Sequence, residues 1–384
     1  MKSAAARHRR WPPRPAARRP KAGPVGTPGA PIRPRPSPAR RPSGRCWALW
    51  LIGLSLTSSL GLAEDTDQIT YWSDAAGQRQ STVRGTIVDY TGEGLVWRTA
   101  RGSEQRMAAE QVIRLETRWH PQQVAGDREM REGRFAEALA AYAQAFSEES
   151  RGWVRRKLLA RSVRCLKHLD RLVPAVETFL RLVQSDPQTP YFADIPLGWR
   201  TVPLTSEGER RAQVWMQPSQ PEAARLIGAS WLLATHRREA AIATLVALRS
   251  RADSRIAMLA QAQLWRTQVA TAGADELARW ARLTARMPHA LRAGAYDTRA
   301  RGLAARGRSQ EAVLTFLRVP ILYGDREPAL AAAALLDAGE QLERQGQPVE
   351  AGVLYREILR DYPQTASYQP ARQRLEQGAC AAGD

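Results

Sequence analysis

The stretch REGRFAEALAAYAQAF, residues 131–146, decides the fold. After Gly133 its apolar residues return at Phe135, Ala138, Tyr142 and Phe146, a spacing that follows a helix and not a strand. Immediately upstream, VAGDREM carries a second small residue, Gly126. The spacing predicts two helices, over 122–132 and 135–146, broken at Gly133, where glycine can take the left-handed conformation that ends a helix. Gly126 and Ala138 are expected at the level where the two helices cross, so that the axes come close, with Phe135 and Tyr142 filling the wider space on either side. A large residue at Ala138 would overpack that crossing.

The pattern returns near the other end as RQGQPVEAGVLYREIL, residues 344–359. Gly339, Gly346, Ala351, Tyr355 and Pro363 repeat the spacing of Gly126, Gly133, Ala138, Tyr142 and the helix end. Gly307, Ala312 and Phe316 make a third copy, and Ala175, Phe179 and Pro187 a fourth. A degenerate fifth copy carries Gly228, Ala240 and Ala247, and a sixth pair spans 255–269 and 275–287. These positions resemble the tetratricopeptide repeat, a helix pair with small residues at two fixed positions, an aromatic after the second, and proline at its end. The intervals from Ala138 to Ala175 and from Ala312 to Ala351, 37 and 39 residues, exceed that family's usual repeat, so loops or helices are lengthened. The resemblance implies a mainly α fold, a solenoid of helical hairpins over 118–384, closed by a terminal helix over 368–377 that caps the stack. Residues 185–220 interrupt it with five prolines, two tryptophans and no helical period. They are expected to form an irregular insert, either packed on the solenoid or in contact with a ligand.

Residues 68–117 read differently. Short runs rich in β-branched and aromatic residues, separated by turn residues at 74–77, 92–94 and Gly102, predict five strands. Their order resembles the small SH3-like or Sm-like barrels, so a small β module over 64–117 precedes the solenoid. Some Sm-like barrels bind RNA. Here Trp72, Tyr90 and Trp97 are expected instead to fill the core or pack on the next domain, and nucleic acid is not expected as a partner.

The chain has 384 residues, 43% hydrophobic and 25% charged, with a formal charge of +19. Residues 1–45 hold 13 of the 57 Lys+Arg, 11 of the 25 prolines and no acid, so this segment is expected to be disordered, and the rest is only mildly basic. An uncharged apolar stretch, 46–63, follows. A basic region, an apolar region and the small residues Gly61 and Ala63 together read as a signal peptide with cleavage before Glu64. The alternative is an uncleaved inner-membrane anchor. In either case the folded part is exported, to the periplasm or cell envelope. Three cysteines, Cys46, Cys165 and Cys380, are too few for a disulfide framework or a zinc site, leaving at most one Cys165–Cys380 bridge.

No catalytic, nucleotide-binding or metal-binding motif is present, so neither cofactor nor metal is expected, and a scaffold that binds a protein or peptide is the main expectation. Cys165 and His168 lie three apart on one predicted helix, and read as a core thiol near a surface histidine. The resemblance implies that the first helix of each pair lines a concave groove, at Asp127, Met130, Arg131, Arg164, Lys167, His168, Asp297, Arg301, Glu340 and Arg344. This cation-leaning set suits an acidic peptide. An anchored assembly protein of the envelope and an enzyme with its site under the 185–220 segment are the alternatives.

Overall fold

The computed structural model describes residues 66–74 and 77–381, with side chains to 377. The basic segment 1–45, the apolar stretch 46–63, the cleavage point before Glu64, and the side chains of Cys46 and Cys380 lie outside the described residues.

Five antiparallel strands come first: β1 (Asp67–Trp72), β2 (Gln80–Thr91), β3 (Gly94–Arg98), β4 (Glu104–Met107) and β5 (Val112–Glu116), in the spatial order β4-β3-β2-β1-β5. β2 is long enough to pair with β1 through its first half and with β3 through its second. Alternation places Ile69, Ile87, Leu95 and Trp97 on one buried face. That face shares a core with Trp153, Val154 and Leu158 of the first helices, so the sheet is docked. Polar contacts fix the docking: Arg156 donates to Asp89 and to the Tyr90 carbonyl, and the Gly92 N–H donates to Asp186 at 3.0 Å. A Cβ on Gly92 would lie 1.7 Å from the Gln188 carbonyl oxygen.

The helices follow as α1 (Pro121–Arg131), α2 (Phe135–Glu148), α3 (Gly152–His168), α4 (Leu172–Ser185), α5 (Ser206–Trp215), α6 (Glu222–Leu232), α7 (Arg238–Leu248) and α8 (Ser254–Trp265). After these come α9 (Ala274–Arg286), α10 (Ala293–Ala305), α11 (Ser309–Phe316), α12 (Arg318–Tyr323), α13 (Pro328–Arg344), α14 (Pro348–Asp361) and α15 (Tyr368–Ala381). Hairpin pairs α1/α2, α3/α4, α6/α7, α10/α11 and α13/α14 pack directly. Between α8 and α9 the rings of Trp265 and Trp280 stack at 5.2 Å, so bulk stands where other pairs have small residues. Successive first helices touch, α6 on α8, α8 on α10, α10 on α13, and α15 covers the end. Among the described residues no helix is long and apolar enough to cross a membrane.

The repeat positions behave as packing requires. Ala138, Ala175, Ala312 and Ala351 are fully buried, as are Phe179 and Phe316. One detail differs from the expected packing. Tyr142 does not flank the crossing but lies directly on Gly126, where a Cβ would stand 2.7 Å from its ring, and Tyr355 lies on Gly339 in the same way, at 2.3 Å. The glycine makes room for the tyrosine, and the alanine lets the second helix reach the core. Ala138→Leu is expected to lower stability by about 1–3 kcal/mol in urea unfolding, because the site has no free volume.

Four hairpin turns share one geometry. Gly133, Gly307 and Gly346 take φ of +74°, +71° and +73°, and the N–H of the next residue returns to a carbonyl five back: Arg134 to Glu129, Arg308 to Leu303 and Gln347 to Leu342. The α3–α4 turn repeats the bond from Arg171 to Leu166, but with Asp170 at φ +53°. An L-residue is strained there. Asp170→Gly is expected to raise the unfolding free energy by roughly 0.5–1 kcal/mol after glycine's own chain entropy is subtracted, measured as a shift of the denaturation midpoint at unchanged slope.

The 185–220 segment departs from expectation. Residues 206–215 are helical, with the Thr205 hydroxyl accepting from the Gly208 N–H at 3.1 Å. α5 packs on α6 through the narrow stripe of Ala212 and Trp215, with the Ala212 carbonyl at Gly228 and Trp215 edge-on to Trp231, while Gly208 lies nearer Leu204 and Val173. Four charged residues on this ten-residue helix obscure that stripe in the sequence.

Candidate functional site

The irregular residues 186–204 enter the coil of helices, where arginines hold them. Arg255 donates to the carbonyls of Pro187 (2.9 Å) and Gln188 (3.1 Å), its guanidinium lying over the Phe192 ring. Arg164 grips the buried Asp194 through two bonds of 2.7 and 3.1 Å. The Gly198 N–H donates to the Ser230 hydroxyl at 3.0 Å, and the Trp231 indole N–H donates to the Pro196 carbonyl at 3.1 Å. Arg266 donates to the carbonyls of Gly198, Ser230 and Arg200. The side chain of Arg200 then reaches out to Asp297 on α10 (2.5 Å) and Asp337 on α13 (2.9 Å). Burial disfavours the Arg200 charge, but the two aspartates more than offset it and its pKa rises.

The same region closes the solenoid on itself. Lys167 on α3 meets Glu327 at 2.7 Å, and His168 bonds the Asp325 carbonyl oxygen at 3.1 Å, so residues about 160 apart join α3 to the start of α13. Burial pushes the Glu327 carboxyl up and Lys167 partly restores it. Phe135 stacks on the His168 ring, centroids 3.9 Å apart. Beneath the insert is a cavity of about 200 Å³, lined by Leu172, Leu197, Trp199, Trp231 and Leu330.

Of the residues expected to line a groove, most hold the fold together. Asp127 accepts from the Tyr142 hydroxyl at 2.6 Å and faces Arg161 at 3.6 Å. Arg164 and Lys167 belong to the clasp just described. Glu340 pairs with Arg374 at 3.1 Å and lies 3.9 Å from Arg344, which is exposed. Arg131 is exposed at the far end of α1. Arg301 is about three-quarters buried, with Nε 3.9 Å from Asp297. The structure therefore brings Arg164 and Lys167 together, and Arg301 with Asp297, while Asp127 with Arg131 and Glu340 with Arg344 stay at separate places.

Sequence reasoning missed Asp194, Arg200, Arg266, Glu327 and Asp337. For Asp194 and Arg200 the only signal was the proline and tryptophan content of the aperiodic insert, and the other three lie outside it. Cys165 is a free, buried thiol, pushed up to about 12 by burial. On α3 the Lys157 ammonium sits 3.7 Å from the centroid of Trp119, forms no ion pair among the described residues, and is held down to about 8 by burial with Arg161 adding repulsion. Compared with models of known protein families and with curated protein sequences, the chain matches none.

Proposed function

We propose that this protein is an exported, non-catalytic scaffold of the bacterial cell envelope, built from tetratricopeptide-like repeats behind a small SH3-like module, and that it holds a protein or peptide partner on its inner face. One observation carries the reading: that face already holds a stretch of polypeptide without regular secondary structure, residues 195–200, through the main-chain carbonyls of Pro196, Gly198 and Arg200 and the Arg200 side chain. This is the chemistry by which a groove takes a peptide. Asp127, Arg131, Lys157 and Arg161 on α1 and α3 are three cations to one acid, which favours an acidic segment.

The test is capture of partners from envelope extracts by the wild type and by Arg131→Glu combined with Arg161→Glu. Arg164 is left alone because its bond to Asp194 is structural. The double variant also removes the Arg161–Asp127 contact, so retention of the fold is checked by its urea unfolding transition, and it is expected to lose at least tenfold in affinity for the captured partner. Equal retention by the folded variant would remove the reading. N-terminal sequencing of the mature protein tests export separately, since a start at Glu64 requires a cleaved signal and excludes the anchored alternative.

A further inference from the structure

Inside the coil, between the insert, α8 and α10, hydrogen-bond donors outnumber acceptors. Three guanidinium groups, Arg200, Arg266 and Arg301, face two carboxylates, Asp297 and Asp337. Arg200 engages both aspartates. Arg266 bonds only neutral oxygens, among them Gln263 Oε1 at 2.6 Å. Because a guanidinium can only donate, that bond fixes the Gln263 amide with its N–H₂ turned away from Arg266. Gln263 is fully buried and its Nε2 has no partner. Thr298, next to Asp297 on α10, is fully buried as well, and its hydroxyl is unpartnered. Arg301 makes no hydrogen bond among the described residues; its buried Nε lies 3.9 Å from Asp297 Oδ2, which is itself without a hydrogen-bond partner.

Each buried donor without an acceptor is unfavourable, and an uncompensated buried cation more so. Burial pushes both Arg266 and Arg301 below the ordinary guanidinium range, as a region short of negative charge requires. Water would satisfy the donors but leave the charge, whereas one monovalent anion balances three cations against two acids. Arg301 is a quarter exposed, so solvent reaches the region at its side chain.

The geometry points to a binding site for one carboxylate, received by Arg301 with Arg266 and the Gln263 amide behind it. The carboxylate is either that of a small free acid or that of an acidic side chain on the partner, and the second source rests on the scaffold reading above. A planar oxyanion suits the forked donors of arginine.

The probes are acetate, with chloride as control at fixed ionic strength, and the blocked tripeptides Ac-Ala-Glu-Ala-NH₂ and Ac-Ala-Gln-Ala-NH₂. In the wild type, acetate is expected to raise the thermal midpoint saturably, by roughly 2–4 °C at ten times its dissociation constant. Arg301→Gln should lose this rise and Arg301→Lys should keep part of it. Line broadening of ¹³C-acetate by wild-type protein gives a readout that needs no variant. An equal midpoint rise in Arg301→Gln, or no saturable broadening, overturns the site. If acetate binds and the glutamate peptide behaves as the glutamine peptide does, the ligand is a free acid and the site stands without the scaffold reading. If neither binds, the site fails, and the Arg131→Glu, Arg161→Glu experiment still decides the scaffold reading on its own.

Discussion

Trp199→Ala is expected to lower the unfolding free energy by about 3–5 kcal/mol, although it lies in a segment with no regular secondary structure. Trp199 is 5% exposed and belongs to the main core with Trp231, Ala293 and Leu330. The backbone of α10 is cut away to receive it: a Cβ on Gly294 would stand 1.7 Å from the indole. Gly294→Ala should therefore destabilise by about 1–3 kcal/mol, as overpacking does. In the Trp199→Ala background the same substitution should be close to neutral, because the indole it meets is gone. The double-mutant cycle then shows a coupling well above 1 kcal/mol. Urea unfolding of the four proteins measures it, and additive effects would mean that the indole does not rest on α10.

This pair also shows why the fold was legible from the sequence and the interior of the coil was not. A helical hairpin is a local object, so its period, its left-handed glycine and its small-to-aromatic spacing all lie within one stretch of chain. Gly133, Gly307 and Gly346 could be matched by inspection, and they take the same turn. The contacts of the insert are long-range and without period. Nothing in the residues around Arg200 indicates that its partners are Asp297 and Asp337, about 100 and 140 positions away. The expected groove residues lie on α1, α3, α10 and α13, but which of them remain free depends on where the insert runs. Arg164 looks like a surface cation until Asp194 is brought against it.

The arginine excess takes on a different meaning as well. Only four of the 57 cations are lysines, and composition alone makes this look like codon usage. In the structure, Arg266, Arg255 and Arg164 each bridge several acceptors from one planar group. A lysine ammonium, a point charge on a flexible stem, matches that geometry poorly. Segments that lack helical period are thus held by side chains that supply several donors from one rigid fork.

Asp297→Ala should be nearly as damaging as Trp199→Ala, at about 3–5 kcal/mol, because it breaks a buried pair and leaves the cation in place. Asp297 is fully buried on α10, bonds Arg200 at 2.5 Å and is the nearest acid to Arg301. Without it, Arg200, Arg266 and Arg301 face Asp337 alone. Asp297→Asn keeps an acceptor oxygen for Arg200 and should be less harmful. It should also strengthen the response to acetate, since the deficit of negative charge grows from one to two. Removing Arg200 as well, as in Arg200→Met with Asp297→Leu, should recover only part of the loss, because Asp337 is left without its Arg200 bond and Arg301 without its nearest acid. Urea is the denaturant of choice, since guanidinium salts would screen the charges being compared. A loss below 1 kcal/mol for Asp297→Ala would mean that water reaches Arg200 freely and solvates its charge.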